Sequence, residues 1–279
     1  TYYTAFNTNM VVNEMFIDSA TLRDNVVALA KQLGYRPKSA TSPTAYVSFT
    51  VTYTNPTTDK ELSLKAGTGF ISTFDNVIYS YVVTSNVKAQ VINDVATFSN
   101  VPIREGTFLN NEFVVDNGSK SQRFILDNPN IDTNTISVTV YPGGGSFNEP
   151  YLVADNILDV DGDSKVFFVE ETEDQRYEIL IGDGVLGKKL ENNTRIDVSY
   201  LTTQGPVSNG VRAFVFSGVL ENENGVTPNS FTTSIVSTVA SAGGEEIEST
   251  QKIKYTAPKA YGTQERAVTA QDYEAIVRQ

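Results

Sequence analysis

The sequence predicts an α+β fold that is predominantly antiparallel β, sandwich- or barrel-like, with an N-terminal helix and short C-terminal helices. Three observations predict it. Apolar and polar residues alternate with a period of two through many short segments, as half-buried strands require. Asn, Asp, Gly and Pro gather between those segments, supplying the backbone conformations of turns. Only one long stretch, roughly Ala20 to Leu33, instead follows the helical period.

The bulk properties narrow the function. At 279 residues the chain is expected to hold about two domains. The reading is an N-terminal segment and helix at 1–45, an antiparallel β domain at 46–145, and a β-hairpin-rich α+β domain at 146–279. The likeliest boundary is Pro142 with Gly143, Gly144 and Gly145. Lys plus Arg number 21 against 33 Asp plus Glu, a net charge of −12. Such a surface repels phosphate backbones and anionic bilayers, so neither nucleic acid nor membrane is expected as a partner. No apolar run is long enough to span a bilayer. The start at Thr1-Tyr2-Tyr3, without Met or a charged-then-apolar leader, reads as a fragment with no visible signal peptide. Cys is absent, which removes disulfides and thiolate chemistry. His is absent too, removing the usual general base, metal ligand and nucleophile partner. No catalytic, metal or cofactor residue is therefore assigned, and an enzyme is not expected.

Taken in order, Tyr2 to Asn9 is a polar-aromatic lead without an assignment. In the helix that follows, Leu22, Val26, Leu29 and Leu33, with Ala30, form one apolar stripe. It reads as a core stripe against a sheet, the alternative being a partner-binding helix. Thr21 with Asp24 matches a capping box, Asp18 and Ser19 competing, and Gly34 and Pro37 end the helix. From Tyr46 the period becomes two: Val47, Phe49, Val51 and Tyr53 share a face. Further strands are predicted at Glu61–Leu64, Phe70–Thr73, Ile78–Thr84, Val87–Ile92, Val95–Phe98, Glu112–Val115, Arg123–Leu126 and Ile136–Tyr141. Others are predicted at Val166–Val169, Ala213–Val219 and Phe231–Ala240, with a loop at Glu221–Ser230. Glu245–Tyr255 reads as a short helix with acids early and Lys252 and Lys254 late, ended by Ala257-Pro258. Thr269 and Asp272 open a last helix with Tyr273, Ile276 and Val277 on one side, a possible interface.

Two acidic readings are weighed and set aside. Asp159, Asp161, Asp163 and Glu170 fall at positions 1, 3, 5 and 12 of a calcium loop, but Ser164 stands where the sharp turn needs Gly. A strand follows at Val166, where a helix should start, so an acidic turn is the preferred reading. The same carboxylates are the only candidates for a glycosidase pair, yet Glu170, Glu171, Glu173 and Asp174 read as one solvated run.

The stretch Tyr177 to Gly210 reads as a β-hairpin with a long connection. Ile179 and Ile181 share a face of the first arm, and Ile196, Val198 and Tyr200 of the second. Gly182, Gly184 and Gly187 around Asp183 make the structural turn. As a phosphate loop it fails, because Lys189 follows Lys188 where Ser or Thr should stand.

With its GDGVLGKKL and IDVSYLTTQGPVSNG, this stretch resembles the baseplate J-like family of contractile phage tails. NEMFIDSATLRDNVVALAKQLGYRPKSA near the N-terminus is similar to it as well. So is the C-terminal stretch, where Gly243, Gly244, Ala257, Pro258, Gln264, Arg266, Ala267, Val268, Thr269, Asp272, Tyr273 and Glu274 follow in the family's order. The resemblance implies a structural virion protein, a baseplate wedge subunit assembled in the host cytoplasm. It implies pairing with itself and with other wedge proteins into a ring around the tail hub, which rearranges on sheath contraction. The alternative from the polar β texture alone is a carbohydrate-binding or adhesin-like module, which would need exposed aromatics converging on one pocket.

Overall fold

The computed structural model of the chain describes residues 2–118, 122–154 and 160–263. Helices α1 (Tyr2–Glu14) and α2 (Arg23–Gln32) come first. Six strands follow: β1 (Thr44–Tyr53), β2 (Glu61–Leu64), β3 (Gly69–Phe74), β4 (Val77–Val82), β5 (Val87–Ile92) and β6 (Val95–Glu105). Then come β7 (Thr107–Val114), β8 (Phe124–Leu126), β9 (Ile131–Tyr141), β10 (Glu149–Val153), β11 (Val166–Glu171), β12 (Tyr177–Ile181) and β13 (Arg195–Thr202). Last are β14 (Val215–Phe216), β15 (Leu220–Asn222), β16 (Phe231–Ala242) and α3 (Thr250–Thr263). The α+β, mainly antiparallel prediction is met.

The strands form two sheets. A nine-stranded sheet runs β14-β3-β4-β6-β5-β2-β15, with β1 paired to both β6 and β16. Alternation in β1 decides its burial: Ala45, Val47, Phe49 and Val51 are inaccessible, and the residues between them are not. Phe49 centres this core, stacked on Phe98 at 4.9 Å and edge-on to Phe70 at 5.5 Å. A seven-stranded sheet runs β7-β13-β9-β10-β11-β12-β8, antiparallel except for β10 against β11. Its edge strands turn toward each other, and the rings of Phe113 and Phe124 meet at 5.5 Å, so it curls nearly into a barrel. Ile179, Ile196, Val198 and Tyr200 all point into its core, as their alternation predicts.

The Tyr177–Gly210 stretch is not a hairpin, however. β12 pairs with β11 and β8, while β13 pairs with β7 and β9, so its two arms lie strands apart in the sheet. Sequence neighbours pair only when the turn brings their edges together, and here the loop between them folds against residues 161–164 instead. The Pro142–Gly145 turn joins β9 to β10 within one sheet. The chain changes sheet at Gly106, whose φ is +132° and whose missing Cβ would stand 2.2 Å from the Thr202 carbonyl oxygen. Only glycine fits that crossing.

The helical ends meet each other. Val26, Val27 and Ala30 of α2 pack with Ile253 and Ala257 of α3, and Leu29 and Leu33 are partly buried against the same cluster. Leu22, by contrast, is 54% exposed. It is the N-cap rather than a helical residue, and no side chain of its own neighbourhood caps α2. Glu14, at the end of α1, does so from a distance: its carboxylate accepts from the Thr21 amide at 2.8 Å, the Thr21 hydroxyl at 2.6 Å and the Leu22 amide at 3.3 Å. The Thr21–Asp24 box is therefore replaced by Glu14. Gly34 ends α2 at φ +79°, with the Gly34 and Tyr35 amides donating to the Lys31 and Ala30 carbonyls in a Schellman arrangement.

Some elements depart from expectation. The lead from Tyr2 is helical, β10 falls in a stretch given no strand, β15 overlaps the start of the predicted Glu221–Ser230 loop, and Ala213–Val219 yields only the two residues of β14. α3 starts at Thr250, because Glu245 is tied into an extended bridge with Thr41 and Ser249 accepts from the Lys252 amide as the cap. It runs through exposed Pro258, which was expected to end it. Tyr273, Ile276 and Val277 lie outside the described residues.

Candidate interaction surfaces

The glycine turn is closed upon itself. A Cβ on Gly182 would lie 2.1 Å from the Gly187 backbone, so the two glycines hold the ends of the loop in contact. Asp183 Oδ1 accepts from the Val185 and Leu186 amides at 2.9 and 3.0 Å. Those bonds, Leu186 foremost, hold its carboxyl below the usual range. The Gly184 amide donates to the Gly187 carbonyl, that of Gly187 to Asp161, and that of Lys188 to Ser164. Each amide from Gly184 to Gly187 thus has an acceptor within the chain, which leaves none of the four to cradle a phosphate. Lys188 is engaged as well: with Lys165 it flanks Glu149, each at 3.1 Å, and the two cations hold the Glu149 carboxyl low.

The acidic patch divides. The Asp161 carboxylate accepts from the Ser164 hydroxyl at 2.5 Å and the Asp163 amide at 3.1 Å, an ordinary Asx turn leading straight into β11. Asp159 lies outside the described residues. Glu171, expected on a solvated run, is buried: Arg23 grips it with bonds of 2.7 and 3.0 Å, and Lys31 donates to its carbonyl at 2.6 Å. The spacing of acids along the sequence could not show that helix α2 would cover Glu171.

Carboxylates also pin the junction of sheets and helices. Glu105 accepts from the Thr203 hydroxyl at 2.6 Å and the Gln204 amide at 3.1 Å, and burial pushes its carboxyl up. Asp132 accepts from the Ser42 amide and hydroxyl and pairs with Arg104 at 3.3 Å. Glu248 receives the Tyr35 hydroxyl at 2.8 Å, where burial first and the carboxylate next push the phenol up. Each of these groups is committed to holding two parts of the chain together.

Among the described residues, two surfaces stand out as open to partners. One is the apolar ridge of α1, where Met10, Val11, Met15 and Leu22 border a shallow groove of about 500 Å³. The other is the wall formed by β1 and β16. No charged side chain occurs between Lys38 and Asp59 or between Glu223 and Glu245, although the chain carries −12 overall. Val236 and Val239 on β16 are 64% and 56% exposed. A cleft at one end of the sandwich holds Tyr53 as its sole aromatic, and that hydroxyl already donates to Asp59 at 2.7 Å. The strongly exposed rings do not converge on that cleft: Tyr3 is on α1, Tyr255 and Tyr261 are on α3, and Phe16 and Phe147 are in loops, none of them lining it. Among the described residues no helix is long and apolar enough to cross a membrane.

The described residues thus form a β-rich body whose buried carboxylates serve as internal ties and whose α1 and β16 carry exposed apolar side chains. Comparison with known proteins gives a particular relative. The chain is similar to "Baseplate wedge protein gp6" of Enterobacteria phage T4, 25% identical over an alignment that covers 96% of this chain. It spans 42% of that relative's length. No family model matches the chain. The baseplate resemblance read from the glycine turn and the two terminal stretches is thereby borne out as similarity to a baseplate wedge protein.

Proposed function

We propose that the chain is a non-enzymatic structural subunit of a contractile-tail baseplate wedge, which pairs with itself and with other wedge proteins into a ring around the tail hub. The observation that carries this is the similarity to a baseplate wedge protein across nearly the whole chain. The layout supports it. Two sheets tied by buried carboxylates make a body able to transmit force, while α1 and the β1–β16 wall offer apolar area to neighbours. Rearrangement on sheath contraction would then exchange contacts between such bodies, each interface having two packings of similar energy. The protein would reside in the virion, in the tail baseplate, after assembly in the host cytoplasm, and would be made late. Co-expression with candidate wedge proteins, followed by size-exclusion chromatography with light scattering, tests the reading. A stable complex larger than the chain alone is expected; recovery of only the free chain with every candidate would sink it.

A further inference from the structure

We propose that β16 is a self-pairing seam: two copies of the chain join their β16 strands antiparallel about a two-fold axis, making one continuous sheet. This deepens the self-pairing in the reading above and rests on it.

Among the described residues β16 pairs with β1 alone. On its outer side only Ser241 is covered, exchanging backbone bonds with Gly210 and Val211 at 2.7 and 2.9 Å. From Phe231 to Ala240 the strand therefore presents a row of outward N–H and C=O groups, which is a template for another strand. Edges are ordinarily blunted by charge, proline or short length. β16 has none of these in its 12 residues. It does carry bulges, at Val236 and near Ala240, where its register on β1 shifts. Between the bulges a short run, Ser237–Val239, pairs regularly with Ser48–Tyr46; the longest regular run is Phe231–Ile235, opposite Tyr53 to Phe49.

That regular run names its own occupant. With the axis at Thr233, Phe231 of one copy stands opposite Ile235 of the other, and Thr232 opposite Ser234, on both sides of the axis. Within this run Phe231 and Ile235 are the partly buried residues, packed on one side against the Phe49 core. A second copy covers their open sides with each other and extends that core across the seam. A two-fold contact requires such self-complementarity. The uncharged span from Glu223 to Glu245 lets two chains of −12 approach here without apposing like charges.

The test is sedimentation of the full chain over a range of concentrations, with two double substitutions. Thr232→Lys with Ser234→Lys sets like charges opposite one another at both cross-strand pairs, and is expected to weaken the dimer about tenfold or more. Thr232→Lys with Ser234→Glu adds as many charges but sets opposite signs across the axis, so the dimer is expected to persist. Amides of Phe231–Ile235 should exchange with deuterium more slowly in concentrated than in dilute wild-type protein. A dimer indifferent to both doubles, or lost equally in both, overturns the seam and leaves self-pairing through another face standing. A chain monomeric at all concentrations overturns seam and self-pairing together, while the wider wedge reading is judged separately by its co-assembly experiment.

Discussion

Single residues here act chiefly by being small or by being buried. Gly106 is the sharpest case, because the chain crosses from one sheet to the other at φ +132° with the Thr202 carbonyl against its α-carbon. Gly106→Ala should cost roughly 1–3 kcal/mol for the backbone conformation alone, plus the displacement of Thr202. Gly143→Ala is the control, since Gly143 at φ +62° meets nothing within 4 Å, and about 1 kcal/mol is expected there. Urea unfolding of the two variants should rank them in that order. Glu105 next to it behaves oppositely to most carboxylates. Burial raises its folded-state pKa above the ordinary 4.5, so the folded protein holds the proton more readily than the unfolded chain. Its contribution to stability is therefore fullest below 4.5 and declines as pH rises through the folded value. Glu105→Gln keeps an acceptor for Thr203 and removes that decline. Its stability relative to wild type should increase from pH 4.5 upward, and equal pH slopes in chemical denaturation would refute the argument.

At the scale of elements, caps and breaks matter more than propensity. α2 lacks a local cap and borrows one from Glu14 of α1, which also accepts from Asn25 at 2.8 Å. Hydrogen bonds from Thr21, then Asn25, lower the Glu14 pKa to about 2. The folded value lies below the ordinary one, so the contact contributes fully above pH 4.5 and is lost as pH falls toward about 2. Acidification through that window should lower the exchange protection factors of the Thr21 and Leu22 amides before global unfolding, and Glu14→Ala, which removes the acceptor, should show low protection already at neutral pH. In α3, Pro258 is exposed and cannot donate to the Lys254 carbonyl. Pro258→Ala restores that bond and should raise the melting temperature, with an upper bound of about 3 kcal/mol.

For the whole molecule, the helical layer is fastened to the barrel-like sheet through Arg23 and Glu171. Both are well shielded, with side-chain exposures of 13% and 2%. Arg23→Met leaves a buried carboxylate without its partner, for which about 3–5 kcal/mol is expected. Adding Glu171→Gln should recover part of that loss, because the stranded charge is then gone. A double variant as unstable as Arg23→Met alone would show that the cost is packing rather than charge. This tie links the N-terminal helices, the C-terminal helix and the second sheet, so it also bears on whether the body moves as one piece.

The sequence by itself determined the class of fold, most strand positions and the inward face of each. It did so because alternation allows each strand only one inward face: that of Val47 and Phe49 in β1 for one core, and those of Ile179 in β12 and Ile196 and Tyr200 in β13 for the other. The end of α2 at Gly34 was legible for a similar local reason: a single backbone conformation is demanded and one residue supplies it freely. Tertiary structure alone decided what pairs with what. The two arms around Gly182 look like a hairpin, yet β12 and β13 take other neighbours, since a long loop leaves register to distant edges. Glu14 as the cap of α2, Glu171 as a buried ion and Leu22 as a surface residue are likewise products of contacts between remote segments. The candidate seam shows both influences. Its lack of charge was written in the sequence, but that β16 lies at an edge, beside β1 on one side only, depended on how the whole sheet was assembled.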